Sequence, residues 1–292
     1  MKFVFIILHF CAVDSTIQTI ESLRSLKHFD KSEVIVVDNG SWDHSGLTLK
    51  NKYHGIPNIH ILLSSVNHGF ARGNNLGYQY ARKHFSPDFI IILNNDVLMT
   101  QRDFLCRVQI LYHKQHFHVL GPDIQTPEGR HQNPHRIHPF TLKDVNRILR
   151  NRSIILCYLK LKRRLHLEEQ VQFIEKWDTR RAAEERNGVR WDKSSRNVVL
   201  HGSALIFSKD FIMREKNAFY PGTFMWMEEE ILNYLCMQKQ YTLLYSPSLS
   251  VLHMGGKSVD STIGHFDKYL IYSQCLKQSA LALKHLMLRG EK

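Results

Sequence analysis

The sequence predicts an α/β fold, a mainly parallel Rossmann-like sheet flanked by helices, with a basic helical insert and a C-terminal helix. Three observations lead there. Short apolar runs alternate with helical patterns through the first 125 residues, and strands alternating with helices build right-handed βαβ units. The 292 residues, 43% hydrophobic and 23% charged, suffice for one large core. Polar and acidic clusters recur at the ends of the apolar runs, where sheets of this kind bind ligands.

The elements follow in order. Lys2 to Leu8 reads as a first strand. Met1-Lys2 and the apolar run mimic a short signal peptide, but His9 and Asp14 interrupt it and no small-residue cleavage site follows. Thr16 to His28 places Ile17, Ile20, Leu23 and Leu26 on one helical face. Glu33 to Val37 is a second strand ending at Asp38-Asn39-Gly40-Ser41, and Ile59 to Leu63 is a third. Gly73 to His84 is helical, and Phe89 to Leu93 is a fourth strand running into Asn94-Asn95-Asp96. Residues 121–140, rich in Pro, Gly and His, read as a loop, and 141–196 as a basic helical segment. Strand character returns at Val198 to Phe207. A helix over Glu228 to Gln240, strands at Tyr241 to Tyr245 and Ser250 to Leu252, and a final helix over Phe266 to Leu288 complete the pattern.

Four clusters can carry chemistry. Asn94-Asn95-Asp96 ends a buried strand with oxygen ligands of the kind Mg²⁺ or Mn²⁺ prefers; the bland alternative is a turn after a strand. In Asn67-His68-Gly69-Phe70-Ala71-Arg72-Gly73-Asn74-Asn75-Leu76-Gly77, glycines permit close approach of a ligand. There Asn74 and Asn75 are expected at a helix start, where free amides meet an anion, and Arg72 offers a charge for phosphate. Glu228, Glu229 and Glu230 open a helix. They suit its dipole, but they also repel one another beside apolar Phe224 to Met227, which raises carboxyl pKa values toward those of a general base. His253 ends the next apolar run, and Gly255-Gly256-Lys257-Ser258 after it is short for a phosphate loop. The histidines at 113, 116, 118, 131, 135 and 138 match no zinc spacing.

Composition narrows the class. The five cysteines lie far apart, which points to reduced thiols in a cytosolic protein. The net charge of +12 suggests a polyanionic neighbour. Residues 141–196 hold 15 Lys/Arg against eight Asp/Glu, and apolar Ile154 to Leu159 precede Lys160-Leu161-Lys162-Arg163-Arg164. Apolar residues beside a basic cluster fit a helix on an anionic membrane face; a solvated insert is the alternative. Nucleic acid is not expected, because no recognition motif accompanies the charge.

Together, Val36 to Ser41, Asn67 to Gly77, Leu93 to Asp96, His201-Gly202-Ser203-Ala204 and Phe224 to His253 resemble family 2 glycosyltransferases of GT-A fold, in particular the rhamnosyltransferase-like enzymes of bacterial surface polysaccharide synthesis. The resemblance implies one GT-A domain: a nucleotide-sugar-binding half (1–140), the basic insert (141–196), and an acceptor and catalytic half (197–292). It implies an inverting transfer from a UDP- or dTDP-sugar to a glycan or lipid-linked acceptor, aided by Mg²⁺ or Mn²⁺, at the cytoplasmic membrane face. Asp38 would meet the base or ribose, Asp96 and His253 would hold the metal, and Glu229 would be the general base, with Glu228 and Glu230 as near alternatives. Asn94 stands where the commonest metal motif has Asp, and glutamates replace the usual aspartate at the base. Two other readings are a nucleotidyltransferase, whose Gly-rich loop is missing at His9-Phe10-Cys11-Ala12, and a non-enzymatic module for anionic lipid or nucleic acid.

Overall fold

A computed structural model describes residues 1–167, 189–255 and 264–290. The rest of the basic segment (168–188) and Gly256-Lys257-Ser258 lie outside the described residues.

The expected strands form one continuous sheet. β1 (Phe3–His9), β2 (Ser32–Asp38), β3 (Ile59–Leu63) and β4 (Phe89–Asn94) are mutually parallel in the order β3-β2-β1-β4. Their runs are apolar without alternation because both faces are covered. Phe3, Phe5 and Ile7 point into one core, and Val4 and Ile6 into the other. α1 (Val13–Arg24), α2 (Ser45–Lys52) and α3 (Gly69–His84) are the crossovers.

Beyond β4 the sheet becomes mixed. β8 (Ala204–Ser208) runs antiparallel to β4, β6 (Val119–Gln125) antiparallel to β8, and β9 (Leu243–His253) parallel to β6. The two-residue strands β5 (Val97–Leu98) and β7 (Ser195–Arg196) both pair antiparallel with β9. α4 (Phe104–Gln115), α6 (Lys209–Arg214) and α7 (Glu228–Gln238) complete the body. α5 (Leu142–Arg164) packs along α8 (His265–Gly290) through Ile155, Leu156, Leu159, Phe266, Tyr269 and Leu270.

Three expectations change. Residues 121–125 are strand: β6 keeps its pairing through Gly121 and Pro122 by shifting register between Pro122 and Asp123, the usual accommodation of a residue that cannot donate to the ladder. That shift also joins the two expected strands at 241–252 into the single β9. Helix α3 begins at Gly69, because the Asn67 side-chain oxygen accepts the Gly69 N–H at 2.8 Å and starts the first turn early. Asn74 and Asn75 therefore sit in the second turn, away from any free amide.

Candidate functional site

A cavity of about 380 Å³ opens at the carboxyl ends of β1 and β4, lined by residues from both halves of the chain. Two groups on its lining carry different chemistry.

In the first, the pairing of β5 with β9 sets Val97 opposite His253, and the Met254 N–H donates to the Asp96 carbonyl at 3.0 Å. This short ladder brings the Asp96 Oδ1 to 3.2 Å from His253 Nε2. His253 Nδ1 meets the Gln132 Oε1 at 2.7 Å. The ring thus lies between the Gln132 amide oxygen and the Asp96 carboxylate, which places an imidazole nitrogen and a carboxylate oxygen side by side. Both ligand types suit a divalent ion. Among the described residues no group of three or more His, Cys, Asp or Glu is gathered for a metal. Asp96 and His253 are the side chains here that would hold such an ion.

The second is the start of α7. Trp226 and Met227 take left-handed conformations, with φ of 75° and 65°. Non-glycine residues rarely adopt this region, and such strain concentrates at functional sites. The bend turns Glu228 and Glu229 into the cavity. The Thr223 hydroxyl donates to Glu228 Oε1 at 3.1 Å. Burial, reinforced by the neighbouring Glu229 and Glu230 charges, pushes the Glu228 carboxyl up to about 8. Glu229 is half-buried and accepts the Gly202 N–H at 3.1 Å. Burial, then the Glu230 charge, raises its pKa, opposed by His135 and by backbone donors. Gly202 is needed for this approach, because a Cβ there would lie 2.6 Å from Glu229 Oε1.

His201 also lines the cavity, and its Nδ1 accepts the Ser203 N–H at 3.2 Å. Its ring lies edge-on to those of His135, at 5.5 Å, and His253, at 6.0 Å. Leu8, Phe10 and Trp226 supply apolar walls.

The structure brings together Asn67, Asn94, Asn95, Asp96, Glu228, Glu229 and His253 on this one cavity. It places the other candidates elsewhere. Glu230 turns away to Arg136 at 3.4 Å and His135 at 3.7 Å. Arg72 is exposed, its Nε donating to the Pro221 carbonyl at 2.8 Å. Asn75 is buried and bonds both backbone groups of Phe219, and Asn74 donates to the Phe70 carbonyl. Asp38 is buried outside the cavity lining and accepts the Ser41 N–H and hydroxyl. Within the cavity, Asn67 accepts from the Asn39 amide, and the Asn95 amide donates to the Thr16 hydroxyl.

The glycosyl transferase family 2 model matches residues 4–168, more than half of the chain. The chain belongs to glycosyl transferase family 2. The low-salt glycan biosynthesis hexosyltransferase Agl10 of Haloferax volcanii is 26% identical over 98 residues, which cover 34% of this chain and 30% of that protein. TarS of S. aureus superimposes with a TM-score of 0.54 at 15% identity, covering 87% of this chain and 37% of TarS. The chain thus spans about a third of each relative's length. Mannosyltransferase PcManGT from Pyrobaculum calidifontis, solved with GDP-Man and Mn²⁺, superimposes with a TM-score of 0.53 at 12% identity, covering 99% of this chain and 74% of that one. These likenesses establish the fold, in agreement with the expected GT-A architecture. The glutamates, His201 and His253 lie beyond the family match, so their roles rest on geometry.

Three features in or beside the cavity are not legible in the sequence. Gln132 sits in a segment read as plain loop, and nothing in its neighbours marks it. The His201-Gly202 peptide stood out only as a block, without a role. Trp226 was read as one of four apolar residues before the acids. No sequence pattern reports its left-handed backbone.

Proposed function

We propose that this chain is an inverting, metal-dependent glycosyltransferase moving a sugar from a nucleoside-diphosphate donor to a hydroxyl of a glycan or lipid-linked glycan. The observation carrying this reading is one shared cavity lined both by a metal-type pair, Asp96 and His253, and by two carboxylates, Glu228 and Glu229. One relative in fold was solved with UDP-GlcNAc and another with GDP-Man and Mn²⁺, which supports a nucleotide-sugar donor and a divalent ion. Family membership also argues against the nucleotidyltransferase and binding-module readings.

Glu229 is the base. It lines the cavity and accepts the Gly202 N–H, which favours the charged form. Glu228, its carboxyl pushed up to about 8 by burial, keeps its proton near neutral pH. The Glu229 carboxylate takes the proton of the acceptor hydroxyl. That oxygen forms its bond to the anomeric carbon from the face opposite the diphosphate. The carbon–oxygen bond to phosphate breaks, and its electron pair leaves with the nucleoside diphosphate. Asn94 and Asn95 line the path as neutral hydrogen-bonding groups. A divalent cation on Asp96 and His253 would supply charge neutralisation for the leaving diphosphate.

The test is Glu229→Gln beside a thermal-shift screen of nucleotide sugars with and without Mn²⁺. Donor stabilisation should persist in the variant while transfer falls by about 10²-fold or more. Near-normal turnover would move the base elsewhere. A screen in which no nucleotide sugar shifts the melting temperature would remove the donor assignment.

A further inference from the structure

Helix α5 is apolar on two opposite sides. One side, Ile155, Leu156 and Leu159, is buried against α8. On the other, Ile154, Tyr158, Leu161 and Leu165 follow a spacing of three or four residues, which sets them in line along the helix and its end. They are 63%, 38%, 54% and 55% exposed. Large aliphatic side chains recurring on one face, rather than scattered, call for a partner.

The charges beside this stripe say which partner. α5 has a single acid in its first turn, Asp144, and a last turn of Lys162, Arg163 and Arg164. Arg163 is turned to Asp267 on α8. Arg150, Lys160 and Arg164 remain exposed along the flanks of the stripe, and Lys162 lies over the Tyr158 ring, 5.5 Å from its centre. A second copy of the same face would bring like charges together across a two-fold axis. An anionic lipid surface complements both parts at once: acyl chains for the aliphatic stripe, head groups for the cations.

We propose that the outer face of α5 docks on an anionic bilayer surface, lying parallel to it without crossing. Among the described residues no helix is long and apolar enough to span a membrane, and this face does not require one. The docking helix is connected to the cavity. Tyr272 on α8 meets the Trp226 ring edge-on at 5.0 Å, and Trp226 lines the cavity. The surface thereby holds the cavity rim near lipid-borne acceptors, a consequence that rests on the transferase reading; the docking itself does not.

The test is vesicle flotation of the full chain with phosphatidylcholine alone and with added phosphatidylglycerol. Two exposed-face variants accompany it, Ile154→Gln with Leu161→Gln and Leu165→Gln, and Arg150→Glu with Lys160→Glu and Arg164→Glu. The parent chain should float only with anionic vesicles and be released by salt. Charge reversal should weaken partitioning on the order of a hundredfold or more, and the glutamine variant should lose it. Thermal shift with nucleotide sugars should be unchanged in both, so failure of docking is separable from failure of the transferase reading. No flotation overturns the proposal, as does equal flotation on neutral vesicles that survives charge reversal. A concentration-dependent dimer, abolished by the glutamine variant and accompanied by no flotation, overturns it in favour of a second copy.

Discussion

Glu228 gives the sharpest test of how this site is built. Its carboxyl is 5% exposed, and its pKa is raised from 4.5 to about 8. A folded-state pKa above the unfolded one means that the native chain holds a proton which the unfolded chain has already released. Stability is therefore highest at and below pH 4.5, falls as pH rises toward 8, and levels off above it. The slope is about 1.4 kcal/mol per pH unit, and the full span amounts to roughly 5 kcal/mol. That is a large fraction of the 5–15 kcal/mol typical of a folded domain. Glu228→Gln keeps an oxygen for the Thr223 hydroxyl and removes the titration. The variant should match the parent near pH 4.5 and exceed it by several kcal/mol near pH 8, within that same span. Urea unfolding followed by fluorescence of the four tryptophans, repeated across this range, measures the difference. Parallel stability curves for parent and variant would show that Glu228 ionises normally, and the argument that its proton stays on would fail.

Other outcomes follow from the same geometry. Gly202→Ala forces a Cβ within 2.6 Å of Glu229 Oε1; kcat should drop about 10–100-fold, the equivalent of one lost charged hydrogen bond, with donor affinity retained in calorimetry. Gln132→Ala frees His253 to turn, so Mn²⁺ affinity should weaken about 10–100-fold in a metal titration, while Gln132→Glu, which keeps the acceptor, should hold it. Gly69→Ala places a Cβ 2.0 Å from the Phe224 carbonyl at a position with φ of +75°; chemical denaturation should show a loss of roughly 1–3 kcal/mol. Because the Glu229 pKa is raised by burial and by Glu230, kcat/KM should climb with pH along an acid limb above the ordinary carboxylate range, and Glu229→Gln should abolish that limb.

The parallel half was legible in the sequence because its strands are buried on both faces, and runs such as Phe89 to Leu93 leave no other reading. Asn94 to Asp96 and His253 could be singled out because polar groups ending apolar strands stand out against them. What the sequence concealed depends on long-range pairing. Only the β5–β9 ladder tells that Asp96 and His253 are neighbours, and only the fold brings Gln132 to His253. The three adjacent glutamates look equivalent in one dimension. Helical geometry separates them, turning Glu228 and Glu229 inward and Glu230 to Arg136. Asn74 and Asn75 misled because their helix starts one turn earlier than its composition indicates; they hold the Phe70 and Phe219 backbone instead.

β9 enters the sheet between β6 and β5, and it is synthesised after the strands it pairs with. Until it inserts, the aspartate after β4 has no imidazole beside it, and the lower wall of the cleft lacks its strand. On the proposed assignment, a nascent chain that has finished its parallel half still lacks the ion-holding pair, which forms only by closure across a long loop. Deleting the chain from Leu243 onward should leave a fragment that keeps βαβ units yet responds to neither Mn²⁺ nor donor.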